Sequence, residues 1–126
     1  MPTKRILLVD DEADVREVAQ LSLEMVGGWV VCSAASGEEG VRRAASDHPD
    51  AILLDVMMPE MDGPATFRAL QADPATRSIP VLLLTAKARP ADRERFAELG
   101  VAGVLPKPFD PLTLARDVSH ALGWDG

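Results

Sequence analysis

Five short apolar runs punctuate the chain: Arg5–Val9, Trp29–Ser33, Ala51–Leu54, Val81–Leu84 and Gly103–Leu105. Four are continuously apolar or nearly so, which suits strands covered on both faces of a parallel sheet. The fifth is the shortest, and its assignment rests on its place in the alternation. Longer amphipathic stretches separate the runs and carry helix start and stop signals. A first helix is expected over Ala13–Val26, with Val15, Val18, Ala19 and Val26 among its inward positions. Ser36 and Glu39 have the spacing of a capping box, in which each side chain satisfies a backbone N–H left open by the first turn. Pro64 and Pro90 open two further helices, and Asp73-Pro74 closes the first of these. Asp110-Pro111 supplies an N-cap and a first-turn proline for a last helix, with Leu112, Ala115, Val118 and Leu122 on one stripe. Gly27-Gly28 and Gly100 are placed to end helices.

This alternation implies an α/β fold of the three-layer, doubly wound kind: five parallel strands with right-handed helical crossovers. At 126 residues the chain fits one domain, residues 1–126 with a core over about 4–122. No repeat or low-complexity tract interrupts it, and no second, effector domain is expected.

Charge narrows the partners. Thirteen Lys and Arg face 20 Asp and Glu, a net charge of −7. Such a surface repels phosphate backbones, so direct nucleic-acid binding is not expected. The single cysteine, Cys32, excludes an internal disulfide framework and any multi-cysteine zinc site, and reads as core. No apolar run approaches the roughly 20 residues of a membrane span, and the N-terminus lacks a signal-peptide pattern. A cytoplasmic location without membrane contact is the expectation.

Ligands of open parallel sheets bind beyond the carboxyl ends of the strands. There the first strand ends in Asp10-Asp11, the third in Asp55 and the fourth in Thr85, while the fifth runs into Pro106-Lys107-Pro108-Phe109. If the first and third strands are neighbours, three carboxylates converge on one edge. Unit charges about 4 Å apart repel by roughly 4 kcal/mol at an effective dielectric near 20, so one must hold a proton or a cation must sit among them. Lys107 supplies one positive charge. Oxygen-only ligands on a rigid edge suit Mg²⁺. A carboxylate is a weak nucleophile that can attack phosphorus when a metal holds the phosphoryl oxygens in line, and Asp55, alone at the central strand end, is the candidate nucleophile. Asp10 and Asp11 would hold the metal, while Thr85 and Lys107 would meet phosphoryl oxygens.

Asp10-Asp11, Asp55 with Pro59 and Asp62-Gly63 downstream, Thr85-Ala86 and Lys107-Pro108-Phe109 together resemble the receiver domain of bacterial two-component response regulators. The resemblance spans nearly the whole chain, in order and at matching spacing. It implies the flavodoxin-like strand order 2-1-3-4-5 and phosphoryl transfer onto Asp55 from a histidine kinase or a histidine phosphotransfer protein, with Mg²⁺ bound. It also implies a metal ligand in the Met57 backbone carbonyl, a cis Lys107-Pro108 bond, and signalling through the face of the fourth helix, fifth strand and fifth helix. That face would meet a downstream protein or an effector domain, or pair with a second copy in a phosphorylation-dependent homodimer.

Two positions depart from the family's familiar members. Val104 stands three residues before Lys107, where many receivers carry an aromatic, and the chain has no Tyr. Output would then rely on Thr85 and loop movement. Met57 and Lys87 stand two residues after Asp55 and Thr85, where family side chains flank the attacking water. Met57 cannot orient water, and Lys87 can reach the phosphoryl group, which implies slow phosphate loss.

Blander roles exist for each residue taken alone. Asp10-Asp11 reads equally as a helix cap, Thr85 as an ordinary strand end, Lys107 as a solvated side chain and Asp62-Gly63 as a turn. His48 and His120 have no partners suggesting metal binding or phosphotransfer. Two other functions are open: a degenerate receiver serving as a phosphorylation-independent scaffold, and a metal-dependent phosphohydrolase working through an aspartyl phosphate. The intact five-residue set speaks against the first. Met57 speaks against the second, because such enzymes place an acid/base Asp there. A regulatory domain catalysing only its own phosphotransfer and slow dephosphorylation is therefore expected.

Overall fold

In the computed structural model, residues 3–86 and 89–124 are described. Strands β1 (Arg5–Val9), β2 (Val30–Ala34), β3 (Ala51–Asp55), β4 (Val81–Thr85) and β5 (Gly103–Pro106) alternate with helices α1 (Ala13–Met25), α2 (Gly37–Asp47), α3 (Gly63–Ala72), α4 (Pro90–Ala97) and α5 (Leu114–Leu122). All strand pairs are parallel, in the order β2-β1-β3-β4-β5. β2 starts and ends one residue later than the apolar run suggests. β3, β4 and β5 each extend one residue further, so Asp55, Thr85 and Pro106 are strand residues.

Successive side chains of a strand point to opposite faces, and here both faces are covered. Ile6, Leu8, Leu53, Leu82 and Leu84 pack with Leu23 of α1 and Leu114 and Val118 of α5. Leu7, Val9, Ile52, Leu54 and Leu83 pack on the other side with Ala44, Phe67 and Leu70 from α2 and α3. This two-sided burial is why the runs are continuous rather than alternating. Each fully buried Leu or Ile contributes roughly 1.5–3 kcal/mol of hydrophobic free energy.

Local signals hold at most helix ends. The Ser36 side chain accepts from the Glu39 N–H at 3.1 Å, and the Glu39 carboxylate accepts from the Ala35 N–H at 2.8 Å. Asp62 caps α3 by accepting from Ala65 N at 2.9 Å, so this residue opens a helix rather than a free turn.

Two helix expectations are corrected. Of the four residues assigned inward on α1, only Ala19 is buried; Val18 and Val26 are 45% and 52% exposed. The helix buries Ala19, Ser22 and Leu23 instead, a face rotated from the apolar stripe. The last helix begins at Leu114, not at Pro111. Asp110 Oδ1 accepts from Leu112 N at 2.9 Å, and Asp110 O accepts from Thr113 N and Leu114 N at 3.0 Å, closing a separate turn first. That turn leaves Leu112 79% exposed. Among the described residues, no helix is long and apolar enough to cross a membrane.

Candidate functional site

Register assembles the site. Val9 pairs with Leu54, so Asp10 and Asp55 leave adjacent strands at the same level. Asp55 pairs with Leu84 and Thr85 with Pro106, which sets Thr85 and Lys107 at the same edge. Backbone bonds continue past the strand ends: Val56 N donates to Leu84 O at 3.0 Å, and Lys107 N to Thr85 O at 2.9 Å. Lys107-Pro108 is a cis peptide bond.

Asp10, Asp55 and Thr85 are 0%, 2% and 1% exposed. The Lys107 ammonium reaches three carboxylates: Asp10 Oδ2 at 2.9 Å, Glu12 Oε1 at 3.3 Å and Asp55 Oδ1 at 3.3 Å. The other Asp55 oxygen, Oδ2, is buried without a hydrogen-bond partner. A buried polar atom left unpaired costs about 1–3 kcal/mol, so its presence calls for a ligand. Burial pushes the Asp55 carboxyl up to about 6, the Asp10 charge adds to this, and Lys107 and the Met57 backbone amide oppose it. Burial works against the Lys107 ammonium, yet its hydrogen bond to Asp10 and the charges of Asp10 and Asp55 outweigh that and hold its pKa above the ordinary value.

Asp10, Asp11, Glu12 and Asp55 each offer a carboxylate oxygen, all within 4.8 Å of one another. Hard oxygen donors packed this closely, from a group that includes the carboxylate with the orphaned oxygen, fit a small divalent cation such as Mg²⁺. An open cleft of about 350 Å³ above them is lined by Glu12, Val15, Asp55, Met57, Lys107 and Pro108. Met57 turns its side chain 64% to solvent at the cleft rim. Lys87 lies outside the described residues.

The loop after β3 is held from below. Gly63 N donates to Val56 O at 2.9 Å. A Cβ on Gly63 would stand 2.7 Å from Asp55 O and 2.8 Å from Val56 Cα, so only glycine allows this approach. Glu12 was not among the sequence candidates. Its signal was the third acid in the run Asp10-Asp11-Glu12, hidden by its place at the start of α1. The role of Gly63 under the Asp55 backbone was likewise not visible from a Asp-Gly pair.

A doubly wound parallel sheet with an acidic pocket at the ends of its central strands defines the class. The family model for the response regulator receiver domain matches residues 6–119, and the chain belongs to that family. It is 47% identical over 112 residues to the response regulator PleD of Caulobacter vibrioides, covering 87% of this chain and 24% of that protein. It is 39% identical over 108 residues to the alkaline phosphatase synthesis transcriptional regulatory protein PhoP of Bacillus subtilis, covering 86% and 44%. The chain thus spans half or less of the length of these curated relatives. Among solved structures, the chemotaxis response regulator CheY4 of Vibrio cholerae superposes with a TM-score of 0.88 at 30% identity, covering 95% of this chain and 99% of that one.

Proposed function

We propose that this domain is a phosphoacceptor: Asp55 takes a phosphoryl group from a phosphohistidine on a histidine kinase or phosphotransfer protein. The observation that carries this reading is the buried Asp55 carboxylate, grouped with Asp10, Asp11 and Glu12, paired through Oδ1 with the Lys107 ammonium and left with a buried, unpartnered Oδ2. Asp10, Asp11, Asp55 and the Met57 backbone carbonyl would hold Mg²⁺, which when bound offsets the negative charge of carboxylates and phosphoryl oxygens.

The chain's own groups have distinct tasks. An Asp55 oxygen attacks phosphorus, the P–N bond to the donor imidazole breaks, and the imidazole leaves with that electron pair. The Lys107 ammonium, 3.3 Å from Asp55 Oδ1, would meet a phosphoryl oxygen. Thr85, at the adjoining strand end, would meet another and carry the change toward β5. Val104 replaces the aromatic of other receivers, so output would pass through Thr85 and the following loop to the α4-β5-α5 face. A protein target, an effector domain or a second copy of the chain would read that face.

A second surface suits the donor. An apolar groove of about 410 Å³ runs along α1 and the turn before α5, lined by Val18, Leu21, Met25, Val26 and Leu112. Val18 and Val15 connect it, by way of a smaller cleft at Lys107 and Phe109, to the cleft over Asp55. A donor helix seated there would lie on a surface continuous with the cleft over Asp55.

Intact-protein mass after incubation with a small phosphodonor and Mg²⁺ tests the reading. A gain of one phosphoryl group in the wild type, absent in Asp55→Ala, is expected. No gain in either shifts the function to a phosphorylation-independent scaffold.

A further inference from the structure

Glu12 faces the cleft with a carboxylate that its own helix does not use. It occupies the N-cap position of α1 with extended backbone, φ −89° and ψ 113°, and makes no side-chain cap bond. Shorter acids at this position fold back onto the first turn. Glu12 reaches instead across the cleft, where Oε1 accepts from Lys107 Nζ at 3.3 Å.

The three partners of Lys107 differ in what their loss would cost. Asp10 is fully buried, and its other oxygen already accepts from the Glu12 N–H at 2.9 Å. Asp55 is buried as well. Removing the ammonium from either leaves a buried carboxylate without its counter-charge, an expensive change. The Glu12 side chain is 61% exposed, so releasing it only returns a carboxylate to water. Lys107 is thus held by two partners it cannot leave cheaply and one it can.

We propose that Glu12 is a positioning residue: it shares the Lys107 ammonium with Asp10 and Asp55, holding it from a closer approach to Asp55, and is the partner Lys107 gives up when a phosphoryl oxygen arrives. This rests on the phosphoacceptor reading for its second half alone. Without Glu12 the ammonium, already 2.9 Å from Asp10 Oδ2 and 3.3 Å from Asp55 Oδ1, is no longer shared with a third carboxylate and competes more strongly with the cation. The negative potential of the cleft also falls by one charge. Both effects weaken cation binding.

The test is calorimetric Mg²⁺ titration of the unphosphorylated full chain as wild type, Glu12→Gln, Lys107→Met and the double variant, with circular dichroism melts to show that each is folded. Glu12→Gln is expected to weaken Mg²⁺ binding by roughly three- to tenfold, the effect of one charge a few ångströms from a divalent ion in a solvated cleft. In the Lys107→Met background the same substitution should weaken it clearly less, because the part acting through the ammonium is gone. Unchanged affinity in Glu12→Gln overturns the proposal, and so does an equal loss in both backgrounds, which would make Glu12 a distant charge only. Lys107→Gln in place of Lys107→Met repeats the cycle should the first variant not fold. Phosphoryl uptake is scored separately by mass: uptake with no Mg²⁺ effect of Glu12→Gln removes only the Glu12 role. A coupled Mg²⁺ effect without uptake upholds the resting placement of Lys107 and removes the phosphoacceptor function.

Discussion

The Lys107 ammonium donates to Asp10 Oδ2 at 2.9 Å, joining two strand-end loops that stand 97 residues apart in the chain. Asp10 is fully buried, and the pair sits directly beside Asp55. The cationic group that the proposed phosphoryl chemistry would use is therefore already in place, held by the carboxylates whose mutual repulsion it relieves.

Asp55 gives the first prediction, through its raised pKa. A carboxyl at about 6 in the fold against an ordinary 3.8 means that folding takes up a proton between those values. The contribution of this group to stability is present below the ordinary pKa and lost as pH rises through about 6. Asp55→Asn removes that loss. The metal-free variant should be more stable than the wild type by roughly 2–3 kcal/mol near neutral pH. Thermal melts in chelator should show the gap closing as pH falls toward about 4; a gap independent of pH contradicts the assignment.

Metal binding carries the same proton in reverse. A cation on Asp55 needs the ionised carboxylate, so Mg²⁺ affinity should fall as pH drops below about 6. Titrations in buffers of different ionisation enthalpy should reveal proton release near pH 6 that vanishes in Asp55→Asn. Chelation near neutral pH should lower the melting temperature, since a ligand of the folded state stabilises by mass action. A melting curve insensitive to Mg²⁺ would speak against the site.

Gly63 holds the loop that follows Asp55. Its missing Cβ is what lets α3 approach the Asp55 and Val56 backbone, at 2.7 and 2.8 Å from where that atom would stand. Gly63→Ala should cost about 1–3 kcal/mol, the usual price of overpacking a tight contact, and should slow phosphoryl uptake by displacing Asp55. Denaturant unfolding and uptake rate check the two halves. An unaltered uptake rate in a destabilised variant would confine Gly63 to packing.

The proposed seating of a donor on the apolar groove can be tested apart from the chemistry at Asp55. In a pairing with any histidine kinase that phosphorylates the wild type, Leu112→Asp should slow transfer tenfold or more, an order-of-magnitude expectation for a charge placed in a desolvated contact. Uptake from a small phosphodonor should be unchanged, because Leu112 lines the groove and not the cleft over Asp55. Equal loss with both donors would mean a damaged fold.

Phosphate lifetime tests Met57. Its exposed thioether at the rim cannot orient an attacking water, so the acyl phosphate should persist for minutes or longer. Met57→Asn, which restores a hydrogen-bonding group, should shorten it. A lifetime of seconds in the purified wild type would contradict this reading.

Much was legible from the chain alone, because the signals were local or repeated. Continuous apolar runs gave the parallel, two-sided sheet, and caps such as Ser36 with Glu39 need only neighbours within one turn. The acids, the Thr and the Lys at strand ends were visible for the same reason, since a strand's end follows from where its apolar run stops. Misassignments came where tertiary contacts override local preference. Val18 and Val26 look inward by composition, but α1 turns Ala19, Ser22 and Leu23 to the sheet, and the Ser22 hydroxyl donates to the Pro111 carbonyl. Pro111 could open a helix by itself, yet the turn closed on the Asp110 carbonyl delays it to Leu114.

The sequence by itself determined which residue types stand at each strand end, because hydrophobic periodicity and cap chemistry are short-range. Only the tertiary structure decided which ends meet. Register between β1, β3, β4 and β5 sets Asp10 level with Asp55 and brings Lys107 to both. It also draws Glu12, whose acidic run with Asp10 and Asp11 was masked by its place at the start of α1, into the same network. Distances across the sheet depend on pairings between residues tens of positions apart, and burial, which raises the Asp55 pKa and orphans its Oδ2, exists only once those pairings form.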